Sequence, residues 1–420
     1  MTTFDATVPA AQVGSVAPAG GVVRFCGEAR TFWRLLIHGA VFLMITLGLY
    51  RFWLTTDIRR FLWSNTELAG QSFEYTGTAR ELLLGFLTAI TILVPLYAVF
   101  FLITLGLEEL SGLIALLVLT FLGHYAVYRA RRYRLTRTVY RGVRFHQTGS
   151  AWHYAVCALF WWTLIVLTAG LVYPFAQSRL ERFKIRNTFF GNLQGRFEGS
   201  GALLLLRGFV LWLLAVLPVV VGLFATLSAI NWSALATASG GDDPSNWLEV
   251  SGLGGAVVYA GLTGIWLLLS FAILYPIFQA IVLHWWVSGL RFGDVTVTSR
   301  LRIAQVFGVY ARFLMYALLF TLVATAIVVP GGFLLARFTG ELDSMAKEII
   351  TTAAGLAAYV AVALGYSTIY QATVRLDLWR YVVESVDIAN LAVLEHVTAA
   401  GQPASPVGEG LADALSVGGV

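Results

Sequence analysis

The residues best placed to do chemistry are few. Arg34 and His38 stand one helical turn apart inside the first apolar stretch of the chain. A guanidinium and an imidazole at that spacing share one helix face, where they could hold an anion or relay a proton. Ionisable side chains at membrane depth are functional candidates by default. A plainer reading is open too: Arg34 lies a turn from the start of the stretch and can snorkel to an interface, while His38 satisfies a buried hydrogen bond. His153 and Cys157 repeat the spacing, with His146 nearby. Without a carboxylate or a second close pair they make a poor metal site and read as a helix face. Cys26 and Cys157 are the only thiols; they lack metal-type spacing, and no structural disulfide is expected. Gly-x-x-x-x-Gly-Lys, the nucleophile elbow and His-Glu-x-x-His are all missing. The sequence therefore assigns no catalytic residue, no metal ligand and no cofactor, and an enzyme is not expected.

What the chain has in quantity is arginine. Of 28 basic residues only Lys184 and Lys347 are lysines, and seven arginines with no acid fill Arg129 to Arg144. Arg131, Arg132, Arg134, Arg137, Arg182 and Arg186 are candidates for holding anionic lipid. Ordinary positive-inside topology accounts for the same pattern. Interleaved Tyr128, Tyr133, Tyr140 and Phe145 could grip nucleic acid in a soluble protein, but against a membrane the anionic headgroups are the nearer partner. Membrane lipids, and no nucleic acid, are the expected partners. The oligomeric state is not legible.

The elements that must position these groups are membrane spans. The 420 residues are 58% hydrophobic and 12% charged, half the charge of a soluble globule at about a quarter. Apolar segments run over 31–54, 82–104, 113–128, 151–175, 203–228, 255–282, 305–336 and 349–373, most of them near the ~20 residues a crossing needs. Acidic or mixed loops at 106–111, 231–249 and 337–347 read as outer, and arginine-rich connections as cytoplasmic, as do both termini. Residues 1–22 lack a signal-peptide pattern. They read as a disordered tail, as do residues 397–420.

Internal self-similarity organises the rest. Thr46-Leu-Gly-Leu-Tyr50, Arg59-Arg60-Phe61, Asn65-Thr66, Gly70 and Phe73 return as Thr168-Ala-Gly-Leu171, Arg182-Phe183, Asn187-Thr188, Gly191 and Phe197. Weaker echoes run from Tyr128 to Phe145, from Tyr275 to Phe292 and from Tyr366 to Asn390. Each unit reads as a span, a helix running out past the membrane, a short strand, a turn and the next span. Gln71–Tyr75 and Gly195–Glu198 alternate as strands do, with Val23–Cys26 and Val143–His146 as candidate partners. Asn65 and Asn187 should cap the helix ends. Trp53, Trp63, Trp161, Trp162, Trp285 and Trp286 read as an aromatic belt. The expected fold is an all-α polytopic membrane protein of repeated helical hairpins with short cytoplasmic strands. Its parts are repeat 1 (23–110), repeat 2 (111–230) and C-terminal hairpins (231–396).

Parity sharpens this. The arginine clusters before and after 151–175 both belong on the inner side, yet a single apolar segment separates them. Either one cluster violates the charge rule, or 151–175 and 31–54 are re-entrant, turning near Gly170 and Gly48. Re-entrant backbone persists only where protein or an aqueous cavity surrounds it, and paired breaks in repeats mark transporter sites. Arg34, His38, Gly48, Thr168 and Gly170 are then the candidate substrate-binding set of a transporter or channel-like protein. No acid sits mid-span to couple an ion. The alternative is a non-catalytic scaffold binding anionic lipid or a cytoplasmic partner.

The run Phe25-x-Gly27, Thr46-Leu-Gly-Leu-Tyr50-Arg-Phe-Trp53, Arg59-Arg60-Phe61, Asn65-Thr66 resembles the YjgN family of bacterial membrane proteins. So do Thr138-Val-Tyr-Arg-Gly-Val-Arg-Phe145 and Tyr173-Pro174 to Asn187-Thr188. The resemblance spans about 23–395 and implies a multi-pass inner-membrane protein. It carries no activity or set of functional residues to transfer.

Overall fold

A computed structural model describes residues 23–106, 108–237, 251–340, 342–401, 404–415 and 417. The expected tail at 1–22 and the acidic part of the 231–249 loop lie outside the described residues. Among the described residues, six helices are long and apolar enough to cross a membrane. They are α3 (Ala79–Gly106), α4 (Glu108–Arg137), α7 (Gly201–Ala229), α9 (Leu253–Ser288), α10 (Ile303–Phe338) and α11 (Ser344–Tyr370), with α8 (Trp232–Thr237) a short connector. A π-helical turn, Gln371–Arg375, carries α11 into α12 (Leu376–Glu384).

The other two apolar segments are broken where expected. α1 (Ala29–Ile45) and α5 (Ala151–Leu167) each turn back into a second helix, α2 (Arg51–Ser64) and α6 (Tyr173–Arg186). Both turns put two successive residues in the left-handed region: Leu47 (φ 50°) and Gly48 (φ 91°), then Ala169 (φ 47°) and Gly170 (φ 88°). Glycine adopts this freely and a side chain does not, so each turn holds one strained residue. Thr46 and Thr168 back-bond to the carbonyls of Phe42 and Leu164 and accept from the Tyr50 and Val172 amides across the break.

The chain is not all-α, which corrects the expected class. Eleven short strands form two hydrogen-bonded pieces, β1-β2-β3 and β4 through β11 in sequence order. They are β1 (Val23–Phe25), β2 (Thr66–Leu68), β3 (Gln71–Ser72), β4 (Glu74–Tyr75), β5 (Thr138–Tyr140), β6 (Val143–Gln147), β7 (Thr188–Phe190), β8 (Leu193–Phe197), β9 (Leu290–Phe292), β10 (Val295–Ser299) and β11 (Val386–Ala389). β1 lies beside β11, and one apolar cluster draws Val23, Leu68, Tyr140 and Phe190 together with Phe73, Phe145, Phe292 and Ile388. The ladder therefore curls back on itself around an aromatic core, which leaves little free edge. The register differs from the expected one. Val23–Phe25 pairs with Thr66–Leu68, and Val143–Gln147 with Thr188–Phe190 and Thr138–Tyr140. The incoming strand thus meets the first arm of each hairpin, because Asn65 and Asn187 donate to the Phe61 and Phe183 carbonyls and end the helices there. Residues 66–68 and 188–190 are left extended. This pairing also brings the two ends of each helical hairpin to the same sheet.

Above the strands the five echoing stretches close a ring. Four of the ring helices end in a hairpin and α12 in the single strand β11, and indoles or a guanidinium tie neighbours together. Trp379 Nε1 donates to Thr66 Oγ1 (3.0 Å), Trp63 Nε1 to Thr138 Oγ1 (2.9 Å), Arg131 to Thr188 Oγ1 (3.4 Å) and Trp286 Nε1 to Glu181 (3.0 Å). Ala280 of α9 shares a cluster with Leu378 of α12, and Leu376 of α12 one with Leu62 of α2. The order α2, α4, α6, α9, α12 and back to α2 is thereby complete. Trp63, Trp285 and Trp286 are ring fasteners, not the interfacial belt expected.

The C-terminal tail is not disordered throughout. Val397, at its start, joins the sheet core beside Leu391 and Leu394 of the preceding 3-10 turn. α13 (Val407–Ala414) then wedges between α3 and α4, burying Leu411 and Ala412 against Ala89, Leu93, Ala126 and Ala130. A Cβ on Gly410 would meet the Gly85 carbonyl carbon at 1.9 Å, so the two backbones touch through glycine. Its small, polar composition disguised a helix whose stability comes from packing and not from its own periodicity.

Candidate functional site

Five cations converge inside the ring. Arg59 comes from α2, Arg131 and Arg134 from α4, Lys184 from α6, and Arg375 from the π-helical turn before α12. Their placement follows from the repeat. Arg59, Arg131 and Glu181 each stand seven residues ahead of the threonine that opens a strand (Thr66, Thr138, Thr188), so all three reach the same level. Arg375 is within electrostatic range of both Arg59 and Arg134, and Lys184 of Arg131 and Arg134. Arg134 lies two ring members away from Arg375, so both face the centre.

Two carboxylates answer them. Glu181 pairs with Lys184 and accepts from Trp286. Glu409 of α13 pairs with Arg59, whose other nitrogen donates to the Tyr75 hydroxyl (3.0 Å), and lies 3.7 Å from Arg134. Burial works against charge on Lys184 and brings its pKa below the ordinary lysine value, Glu181 opposing and Arg131 adding to the fall. Burial would also raise Glu181, but Lys184 and Arg131 outweigh it and hold the carboxyl below its usual range. For Arg59, burial lowers and Glu409 and Tyr75 raise, with a net rise. Among the described residues, five cations against two acids leave a formal excess of three positive charges. Arg375 makes the deficit concrete: Nη1 donates to Gln371 (2.7 Å), while buried Nε and Nη2 have no partner. Such groups are costly unless something satisfies them.

The sequence-derived candidates divide. Arg131 and Arg134 belong to this centre, but their role as surface lipid ligands was assigned from position alone. Arg137 is spent on Glu81 (2.8 Å), Arg132 gives one nitrogen to the Gly149 carbonyl, and Arg182 and Arg186 lie exposed outside the ring. Arg34 and His38 are exposed, the imidazole bonded to the Arg34 carbonyl (2.7 Å). Gly48 and Gly170 do not meet around one site. Gly170, with Tyr173 and Trp212, lines an apolar cavity of about 390 Å³ between α5–α6, α7 and α9, and Trp212 Nε1 donates to the Ala169 carbonyl beside Thr168. The α1 residues Ile37, Val41 and Met44 line another, of about 540 Å³, against α10 and α11, and a Cβ on Gly48 would touch nothing. His153 Nε2 lies 3.6 Å from the Cys157 sulfur, and among the described residues no group of three metal-type ligands occurs. Sequence reasoning missed Arg59, Lys184, Arg375 and Glu409. For Arg59, Arg131 and Glu181 the signal was present, as equivalent places in the repeat.

Six apolar helices, a repeated helix-and-hairpin ring and a basic centre define a multi-pass membrane protein. The chain matches the family model described as "Bacterial protein of unknown function (DUF898)" over residues 21–414, and it belongs to that family, the YjgN family. No curated protein and no solved structure matches it.

Proposed function

We propose that this is an inner-membrane, channel-like or transport protein for a small anion, and that its site is the basic centre of the ring. The observation that carries the reading is the excess of cations within the ring, with two buried nitrogens of Arg375 unpartnered among them. Rings of arginine and lysine are how pores select anions, and π-turns recur at functional positions. On this reading the strand layer is cytoplasmic, both termini lie on that side, and the two broken hairpins enter the bilayer from it. Their tips support that orientation: Leu47 is 94% and Val166 75% exposed, an apolar surface that needs lipid. Arg34, His38, Gly48, Thr168 and Gly170 then shape the hairpins and do not bind the solute. The test is anion-driven current or tracer flux in proteoliposomes. Arg375→Gln should cut chloride or phosphate flux at least tenfold; no flux in the parent protein, or equal flux in the variant, overturns it.

The scaffold reading draws its support from the two apolar cavities beside the hairpins, each about the size a lipid chain fills. It predicts lipid that co-purifies and is lost on widening neither ring nor centre.

A further inference from the structure

A second basic cavity lies outside the ring, on the opposite side of α4. It holds about 500 Å³, within the range of roughly 300–1,000 Å³ typical of small-molecule sites. Arg129, Arg132 and Thr136 supply one wall, three residues on one α4 face at spacings of three and four. His146 and Gln147 at the end of β6 supply the second. The C-terminal strand of chain at Gly401 and Ala404–Ser405 supplies the third.

Its lining is short of partners, chiefly acceptors for its cations and donor nitrogens. Among the described residues no carboxylate lines it, and neither Arg129 nor Arg132 is paired with one. Gln147 is 5% exposed; its side chain lies within interaction range of the Tyr128 hydroxyl, but neither its amide nitrogen nor its oxygen makes a hydrogen bond of good geometry. The Tyr128 hydroxyl beside it donates instead to the Thr148 carbonyl (2.6 Å). Arg132 Nε and His146 Nδ1 are likewise buried and unpartnered. Buried polar atoms left open cost free energy; Gln147 Nε2 and Arg132 Nε are donors, and beside the Arg129 and Arg132 guanidiniums they favour an occupant with acceptor oxygens, while Gln147 Oε1 is left for a donor on the same ligand.

We infer that this cavity binds a phosphate group, with Arg129 and Arg132 as its cations and Gln147 reading the remainder of the ligand. Bidentate guanidinium geometry suits phosphate in particular. The group belongs either to a soluble phosphate ester or to an anionic phospholipid headgroup. Ala404, whose amide donates to Thr136 Oγ1 (3.3 Å), closes the wall, so occupancy also fixes the path of the chain that leads into α13.

Equilibrium binding to the full-length protein decides the matter, with three probes: inorganic phosphate, glycerol 3-phosphate, and phosphatidylglycerol in nanodiscs against phosphatidylcholine. The double variant R129Q/R132Q should weaken binding of at least one probe tenfold or more, and by the same factor in an Arg375→Gln background, in which the ring centre is disabled. Gln147→Leu separates a ligand contact from packing. It removes two unsatisfied atoms at similar volume, so the protein should be at least as stable, yet binding should fall several-fold. Affinity for the soluble probes assigns a soluble ester; affinity for phosphatidylglycerol alone assigns the headgroup. If no probe binds, or if binding survives both R129Q/R132Q and Gln147→Leu, the inference is wrong.

Discussion

Removing the carboxylate of Glu409 should unseat the C-terminal helix. The Arg59 and Glu409 side chains are 3% and 9% exposed and pair directly. Breaking such a pair by deleting one partner costs about 3–5 kcal/mol, because a charge is left buried and unanswered. α13 has little else to resist with. Arg51 and Asp413 meet at 2.5 Å but are 39% and 40% exposed, and exposed pairs contribute about 0–1 kcal/mol. Burying Leu411 contributes about 1.5–3 kcal/mol. Opening α13 rehydrates Arg59, so the cheaper response to Glu409→Ala is local release of 407–414 and not global unfolding. A shift of about 3 kcal/mol in that opening equilibrium is roughly a 150-fold gain in amide exchange, at about 1.4 kcal/mol per decade. Hydrogen exchange with peptide-level resolution reads it directly. Asp413→Asn should change the same amides less than about fivefold. The double variant R59M/E409L should recover most of the protection, since an apolar pair of similar volume replaces a buried ion pair at little cost. Exchange in Glu409→Ala within threefold of the parent would refute the argument, as would failure of Asp413→Asn to differ from it.

Three further outcomes follow from the same geometry. Gly410→Ala places a methyl carbon where the Gly85 carbonyl carbon would be 1.9 Å away, backbone against backbone, so α13 should be expelled as fully as by Glu409→Ala; retained protection of 407–414 would contradict the packing. Ala169→Gly relieves a left-handed residue at φ 47° and should raise stability by up to about 1 kcal/mol, measured as a higher thermal midpoint, whereas Gly170→Ala should lower it. Glu181 has its folded pKa depressed by Lys184 and Arg131 against the effect of burial. Its contribution to stability is therefore complete above the unfolded carboxylate value near 4.3 and is lost as pH falls through that value to the folded one. Denaturation of Glu181→Gln should be flatter than that of the parent below about pH 5, and an equally steep acid limb would sink the assignment.

How much of this could be read from residues alone varied with the physics involved. The six spans follow from length and apolarity, which composition carries directly. The two breaks follow from charge parity and from Gly48 and Gly170, because only a reversal lets flanking arginines share a side. The strand register was misread, since Val23–Phe25 has no preference of its own between Thr66–Leu68 and Gln71–Tyr75. That choice is made by where Asn65 ends α2. The tail was misread for a related reason. Glu409 and Asp413 look like solvent-exposed acids in a Gly/Ala segment until Arg59 and Arg51, more than 300 residues away in sequence, are brought beside them.

The basic centre shows why an arginine count alone cannot distinguish topology from chemistry. Arg137 and Arg131 stand six residues apart on α4. The first is neutralised by Glu81, and the second faces a ring in which cations outnumber acids. Positive-inside placement needs only that both lie near the inner interface; it does not need five cations to turn inward. Turning them inward costs desolvation energy that an apolar ring would avoid. On the proposed anion reading, a fold that accepts this cost at Arg59, Arg131 and Arg134, and adds an Arg375 with two open nitrogens, is compensated when an anion occupies the centre. Glu409 does so in part from within the chain. An external anion should therefore compete with α13: with the second cavity disabled by R129Q/R132Q, raising phosphate from zero to tens of millimolar should accelerate exchange of 407–414, and should not do so when R59M/E409L is added. Uniform slowing of exchange by phosphate in both proteins would show that the centre does not discriminate between the two anions.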